Sequence, residues 1–273
     1  MKPQLLSSKN CDAKLFNLLK VKLDNFYSTV SDYSAFETHS DQRHCWKHIA
    51  GRIRLSGSSS KKLKILEVGA GRSGFGLFLS ELGLRDFVIW VAQDVTTQNS
   101  EWLDANADKV ILCDIETLPL DDSYDIIFST FVLEHVVNPS AHLNQIASLL
   151  KLSKGTLFIF CPRYDLPCYL APSSRHLTKH LRTKFLLYST FSRLKTILTG
   201  KPAFLIQTDL AAFHQPFFTD SDAVHWPSLY DLKSFSRNEG AVLSQLKIGR
   251  PKLFSKDWIV KRLLTIAVTI NFE

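Results

Sequence analysis

Apolar positions change their period along the chain, and the changes divide it. Over residues 12–26, DAKLFNLLKVKLDNF, Leu15, Leu18, Leu19, Leu23 and Phe26 recur at helical spacing behind Asp12, a side chain suited to capping the first turn. DQRHCWKHIAGRIRL repeats that period, with Ser40 in the capping place and Trp46, Ile49 and Ile53 on one face. SGSSSKK at 56–62 has the composition of a linker. From Lys64 onward, short apolar runs alternate with helical stretches. KILEV (64–68), FVIWVA (87–92), VILC (110–113), YDIIFST (124–130) and TLFIFC (156–161) read as five strands. FGLFLSEL, and SAHLNQIASLL behind Ser140, read as helices between them. Such alternation predicts a parallel sheet covered on both faces, with ligands at the carboxyl ends of its strands.

After Cys161 the alternation stops. Residues 163–227 are long for a connection and hold the basic, partly helical stretch SSRHLTKHLRTKFLLYSTFSRLKTIL. A segment of that length inside an α/β domain reads as a lid or small subdomain. SLYDLKSFSRNEG then predicts a helix stopped by Gly240, and AVLSQLKI and LLTIAVTI predict two closing strands. The expected organisation is an N-terminal helical cap with linker over 1–62 and an α/β domain over 63–273, with an insertion at about 163–227 suited to a ligand.

Composition narrows the class. At 273 residues, 45% hydrophobic and 22% charged, the chain can bury a full core, which excludes global disorder. No stretch approaches the roughly 18 consecutive apolar residues of a membrane-spanning helix, and the N-terminus lacks the pattern of a secretory signal. Five scattered cysteines, Cys11, Cys45, Cys113, Cys161 and Cys168, contain no CxxC pair and read as reduced thiols of a cytoplasmic protein. The net charge of +7 conceals a division: residues 1–150 carry 15 Lys and Arg against 18 Asp and Glu, residues 151–273 carry 18 against 8. A basic C-terminal half suits an anionic acceptor, an anionic membrane surface, or a merely solubilising exterior. Aromatic residues do not interleave with the charges as on a stacking platform, which argues against nucleic acid. No metal-ligand spacing is present, since His176 and His180 lack a third partner.

The chemistry is concentrated at KILEVGAGRSGFG. Gly69, Gly71 and Gly74 make a G-x-G-x-x-G turn after a strand, a spacing that by itself fits a dinucleotide, a phosphate or an adenosyl sulfonium. Glu67 ends that strand, where an acid would oppose a pyrophosphate and welcome a cation. S-adenosylmethionine is such a cation, carrying a sulfonium and an ammonium and no phosphate. Asp94 ends the second strand 20 residues past Gly74, where an acid can accept ribose hydroxyls. Asp114 ends the third, where a carboxylate can accept from an adenine amine.

The stretch LPLDDSYDIIFSTFVLEHV resembles the "LPF…FD…S…LEHV" signature of the class I S-adenosylmethionine-dependent methyltransferases that act on small molecules, and the similarity covers about 64–162 with specific motifs. The resemblance implies a Rossmann-like, seven-stranded, mostly parallel sheet sandwiched by helices, its last strand (LLTIAVTI) antiparallel, with N-terminal helices and a helical insertion after the fifth strand. It implies a cofactor cradle of Glu67, Gly69, Gly71, Gly74, Asp94 and Asp114, with Ile115 and Thr130 lining adenine or methionine. Arg72 and Ser73 depart from the commoner form by intervening before Gly74. Glu134 and His135 are placed beside the methionine end and the acceptor.

A hydroxyl acceptor calls for a general base, and histidine is the usual choice near neutral pH. The candidates are His135 and, from the insertion, His176, His180, His214 and His225; Arg163 and Tyr164, directly after the fifth strand, should face the site. Phe185, Leu186, Leu187 and Tyr188 read as core or lid packing rather than lipid contacts. The late sequence is loosely similar to methyltransferases of sugars, so the expected acceptor is a saccharide or glycan-precursor hydroxyl. The alternatives are a quinone or lipid acceptor at a membrane surface, a nicotinamide oxidoreductase, and a catalytically silent cofactor-binding protein. The oligomeric state is left open.

Overall fold

The computed structural model describes residues 3–29, 40–56, 61–120, 122–209, 222–249 and 251–272. Residues 57–60 of the serine-rich linker, and His214, lie outside them. In chain order the elements are β1 (Leu5–Ser7), α1 (Ala13–Ser28), α2 (Ser40–Ser56), β2 (Leu63–Val68), α3 (Phe75–Glu81), β3 (Val88–Asp94), α4 (Ser100–Asn106), β4 (Lys109–Leu112), β5 (Ile126–Thr130), α5 (Pro139–Lys151), β6 (Thr156–Pro162), α6 (Lys179–Thr199), β7 (Leu205–Gln207), β8 (His225–Trp226), α7 (Leu229–Asn238), β9 (Val242–Gln245), α8 (Lys256–Arg262) and β10 (Thr265–Asn271).

Seven strands form one sheet in the order β4-β3-β2-β5-β6-β10-β9. Neighbours β4 through β6 pair in parallel, whereas β10 runs antiparallel to both β6 and β9. This is the mostly parallel α/β sandwich expected from the sequence, reversed last strand included. The chain steps outward from β2 in one direction to β3 and β4 and in the other to β5 and β6, so a crevice opens at the strand ends beside β2. Alternation along each strand assigns its two faces. Leu66, Val68, Ile127 and Ile159 pack with α5 and α7. Ile65, Trp90, Phe128 and Phe160 pack with α2, α3 and α4, including Trp46, Ile49 and Ile53 of α2.

Helix starts follow local chemistry, with corrections. Asp12 caps α1 by accepting from the Leu15 amide at 2.8 Å. The cap of α5 is Asn138, which accepts from the Ala141 amide, with Pro139 at the first helical position; Ser140 therefore lies inside the helix. Ser40 is itself the first residue of α2 rather than a cap before it. Gly240, at φ 69°, follows α7 as expected. Among the described residues no helix is long and apolar enough to cross a membrane, and all five cysteines are free.

A second sheet has no counterpart in the sequence reading. β1 pairs antiparallel with β7, and β7 with β8, so the start of the chain and the region after β6 share one layer. One face of this small sheet packs Leu5, Leu205 and Trp226 against Phe185 of α6. The other packs Ile206 and Val224 against Leu19 and Leu23 of α1. Helix α1 is thereby held over the strand ends of the large sheet.

Asp231 of α7 ties this layer down. Its carboxylate is fully buried and accepts from Arg193 Nη1, from Thr196 Oγ1 at 3.0 Å and from the Ala203 and Phe204 amides at 2.9 and 3.2 Å. Arg193 Nη2 in turn donates to the Trp226 carbonyl at 2.7 Å. Removing one partner of a buried pair leaves the other charge uncompensated. Asp231→Ala should therefore lower the unfolding free energy by about 3–5 kcal/mol, read by denaturant titration.

Candidate functional site

A cavity of about 910 Å³ lies where the strands of the large sheet end. Val68, Asp94, Thr130 and Pro162 reach it from β2, β3, β5 and β6, and Asp114 from the turn after β4. Lys20, Leu23, Asp24 and Tyr27 of α1 close one side.

The glycine turn forms its floor. Gly69 and Gly71 sit at φ 65° and 54°, a region that side chains with a Cβ rarely enter. A Cβ on Gly69 would also come within 2.7 Å of Val132 Cγ2. Three successive amides of the turn are taken by the end of β3. Gly69 donates to Gln93 Oε1 at 3.1 Å, Ala70 to the Gln93 carbonyl at 2.8 Å, and Gly71 to Asp94 Oδ2 at 2.6 Å. Gln93 Nε2 then donates to the Cys113 carbonyl, linking the turn to the end of the next strand. Arg72 and Ser73 are accommodated by α4: Trp102 donates its indole N–H to the Ser73 carbonyl at 2.9 Å, and the Arg72 guanidinium stacks over the Trp102 ring at 4.6 Å. Gly74 caps α3 at φ −95°, off the cavity wall.

The acids differ in their surroundings. Asp94 Oδ1 accepts from the Thr96 amide and hydroxyl at 2.9 and 3.1 Å, so the carboxylate is fully oriented by Gly71 and Thr96. Asp114 accepts from the Glu116 amide at 3.0 Å and from Lys20 of α1. Burial works against its charge, but Lys20 and the Glu116 amide outweigh it and hold the carboxyl below its ordinary range. Glu67 is not on the cavity wall; it is buried on the α3–α4 side of β2, near Ser73 and Trp90. That burial pushes its carboxyl up to about 8, with Ser73 and Trp90 opposing the shift and Asp94 adding to it.

Ile115 and Thr130 both line the cavity. The buried Thr130 hydroxyl and the Asn99 side-chain amide, also on the wall, have no hydrogen-bond partner among the described residues. Phe131, at φ 58°, turns the chain out of β5 so that Val132, Glu134 and His135 face the cavity.

Of the candidate histidines, His135 alone is brought to the cavity among the described residues. Its Nδ1 lies 3.2 Å from Asp222 Oδ2, and the Tyr27 hydroxyl donates to that same oxygen at 3.0 Å. Its Nε2 is 3.8 Å from Glu134 Oε1. His225 is buried off the wall, donates from Nδ1 to the Leu133 carbonyl at 2.9 Å, and is held neutral by burial with a pKa of about 3. His176 pairs with Asp209 and is likewise off the wall, although its neighbour Arg175 is on it. His180 is exposed on α6, Arg163 binds Asp165 at 2.5 Å, and Tyr164 is buried in the small-sheet layer. Sequence reasoning missed Asp222, Tyr27, Gln93 and Lys20. Their roles depend on long-range packing, and none stands in a motif.

A family profile described as "Methyltransferase domain" matches residues 42–229. A search of curated proteins finds no match. Solved structures similar to this one include the plantazolicin methyltransferase BpumL in complex with SAH, at 14% identity and a TM-score of 0.53, over 95% of this chain and 98% of that one. Another is the Burkholderia thailandensis 1,6-didemethyltoxoflavin-N1-methyltransferase with S-adenosylhomocysteine bound, at 11% identity and a TM-score of 0.55, over 94% and 90%. A third is the magnesium protoporphyrin IX methyltransferase of Synechocystis with bound SAM, at 9% identity and a TM-score of 0.51, over 97% and 100%.

Glu67 makes stability depend on pH. Between its ordinary value of 4.5 and its folded value of about 8, the native chain holds a proton that the unfolded chain releases. The native state binds more protons there, so stability falls as pH rises through that window. Glu67→Gln should remove this contribution, and scanning calorimetry should show a smaller decline in Tm from pH 5 to 8 than in the parent.

Proposed function

The chain belongs to the methyltransferase-domain family, and from that premise we propose that its cavity holds S-adenosylmethionine and carries methyl transfer to a hydroxyl of a small-molecule acceptor. The observation that carries this reading is the glycine turn whose three amides are held by β3, with Asp94 oriented beside it. The unpartnered Thr130 hydroxyl and Asn99 amide on the same wall are polar groups that a ligand of this kind can satisfy. The neighbouring structures with SAH or SAM bound support the same cofactor.

A carboxylate offers about four acceptor positions. Asp94 uses three on Gly71 and Thr96, which leaves room for a ribose hydroxyl without reorientation. Asp114 would share its carboxylate between Lys20 and an adenine amine. Ile115 supplies apolar surface to the adenine side. Glu67, behind the turn and protonated below about pH 8, would back the glycine turn rather than meet the ligand's charge.

When bound, the cofactor supplies an electrophilic methyl on a sulfonium, so the protein's part is to align the acceptor and take its proton. Asp222 beside Nδ1 favours the tautomer protonated at that nitrogen, which makes His135 Nε2 the ring atom that takes up a proton. As the acceptor oxygen attacks, its proton passes to Nε2, and the carboxylates of Asp222 and Glu134 stabilise the imidazolium that forms. Tyr27 holds Asp222 in place. Tyr169 and Arg175, on the wall from the region after β6, supply a ring face and a guanidinium, which supports a saccharide or glycan-precursor acceptor. A lipid or quinone acceptor is the second reading, favoured by exposed apolar residues on α6.

Two measurements test this. Asp94→Ala should weaken S-adenosylhomocysteine binding by about 10–100-fold in isothermal titration, the cost of a lost hydrogen bond to a charged group; unchanged affinity would refute the site. With labelled S-adenosylmethionine and a panel of hydroxylated acceptors, His135→Ala should reduce turnover by about 10²–10⁴-fold. Asp222→Asn should move the acid limb of the rate profile to lower pH, because the imidazolium loses its carboxylate, while cofactor affinity stays at the parent value.

A further inference from the structure

Helix α6 buries one face and leaves the other bare. Phe185, Ser189, Arg193 and Thr196 are buried on the side of the small sheet and α7. Leu187, Phe191, Leu194 and Leu198, spaced four, three and four residues apart, share the opposite face. They are 54%, 69%, 49% and 84% exposed. The sequence reading put Leu187 in the core or a lid; only Phe185 of that group is fully buried, because the small sheet supports one face of the helix and no described element covers the other. Soluble proteins seldom leave a contiguous apolar surface of this kind without a use.

The charges on the same helix are one-sided. It carries Lys179, Arg182, Lys184, Arg193 and Lys195 and no Asp or Glu. Arg193 is committed to Asp231, and the other four have no ion-pair partner among the described residues. Lys184 and Lys195 are exposed and lie together along one edge of the apolar stripe on the helical projection.

We propose that this face of α6 docks on an anionic lipid bilayer, the stripe entering the acyl boundary and the lysines meeting the headgroups. The apolar stripe supplies burial, the unpaired cations supply charge complementarity, and the helix lies on the surface, since no described helix can cross. A second copy of the chain fits poorly, because it would set two acid-free cationic helices face to face. The proposal goes beyond methyl transfer and does not depend on it.

The test is co-sedimentation with vesicles of phosphatidylcholine alone and of equal parts phosphatidylcholine and phosphatidylglycerol. The parent protein should bind the anionic vesicles and lose that binding as salt is raised. Phe191→Ser with Leu194→Ser should cut binding by at least ~100-fold, the apolar burial of two large side chains. Lys184→Gln with Lys195→Gln should cut it by about 30-fold. Circular dichroism and S-adenosylhomocysteine titration, run on each variant, should match the parent and so separate lost docking from lost folding or a failed cofactor site. If the stripe variant does not fold, the lysine variant decides alone. No binding to the anionic vesicles, equal binding to neutral ones, or binding that survives in folded variants would overturn the proposal. A parent dimer that becomes monomeric on changing the stripe, with no vesicle binding, would overturn it too.

Discussion

Everything at the ligand-facing end rests on three backbone amides. Gly69, Ala70 and Gly71 each donate into the end of β3, to the Gln93 side chain, the Gln93 carbonyl and the Asp94 carboxylate. The two glycines are there because the turn needs left-handed backbone and because Val132 leaves no room for a Cβ at Gly69. In return the turn aims Asp94, and Gln93 reaches on to Cys113 at the end of β4. One small network thus sets the relative positions of three strand ends. A buried polar network of this kind is rigid only when each member is satisfied, as it is here.

A second layer completes the site from outside the large sheet. β1, β7 and β8 make a sheet too small to stand alone, and it is stabilised by α6 on one face and α1 on the other. Asp231 and Arg193 anchor it to α7 through a fully buried ion pair. The consequence is chemical. This layer carries Tyr27 and Asp222 to His135, and Lys20 to Asp114. The large sheet supplies the glycine turn and strand-end acids of the cavity, and the outer layer supplies the groups around His135.

Electrostatics differ sharply within this short distance. Asp114 is kept charged by Lys20 and an amide although burial opposes it. Glu67, at the start of the same turn, is pushed up by burial against the opposing donors of Ser73 and Trp90. His225 is kept neutral by the same desolvation that removes it from the cavity. Residue type alone therefore predicts little about charge state, and depth beneath the wall decides it.

The strands as elements, the glycine turn and the acids at Asp94 and Asp114 were legible in the sequence, because each is written in local period or local turn chemistry, while the seven-stranded sheet and its antiparallel last strand came from the family resemblance. Arg72 and Ser73 were visible as a departure, but the reason for them, the Trp102 ring and its N–H, comes from a helix 29 residues on. Strands of two or three residues such as β8 and β1 carry no readable period, and β1 finds its partner far along the chain, Leu5 opposite Gln207. The resemblance had set His135 beside the site, whereas where His176 and His225 point depends on packing that residue type does not reveal. The sequence by itself determined the strands of the sheet and the glycine turn, since these follow from interactions between near neighbours. Tertiary structure alone decided the neighbours of His135, Asp222 and Tyr27, and the bare face of α6, since each depends on which distant surfaces meet and which do not.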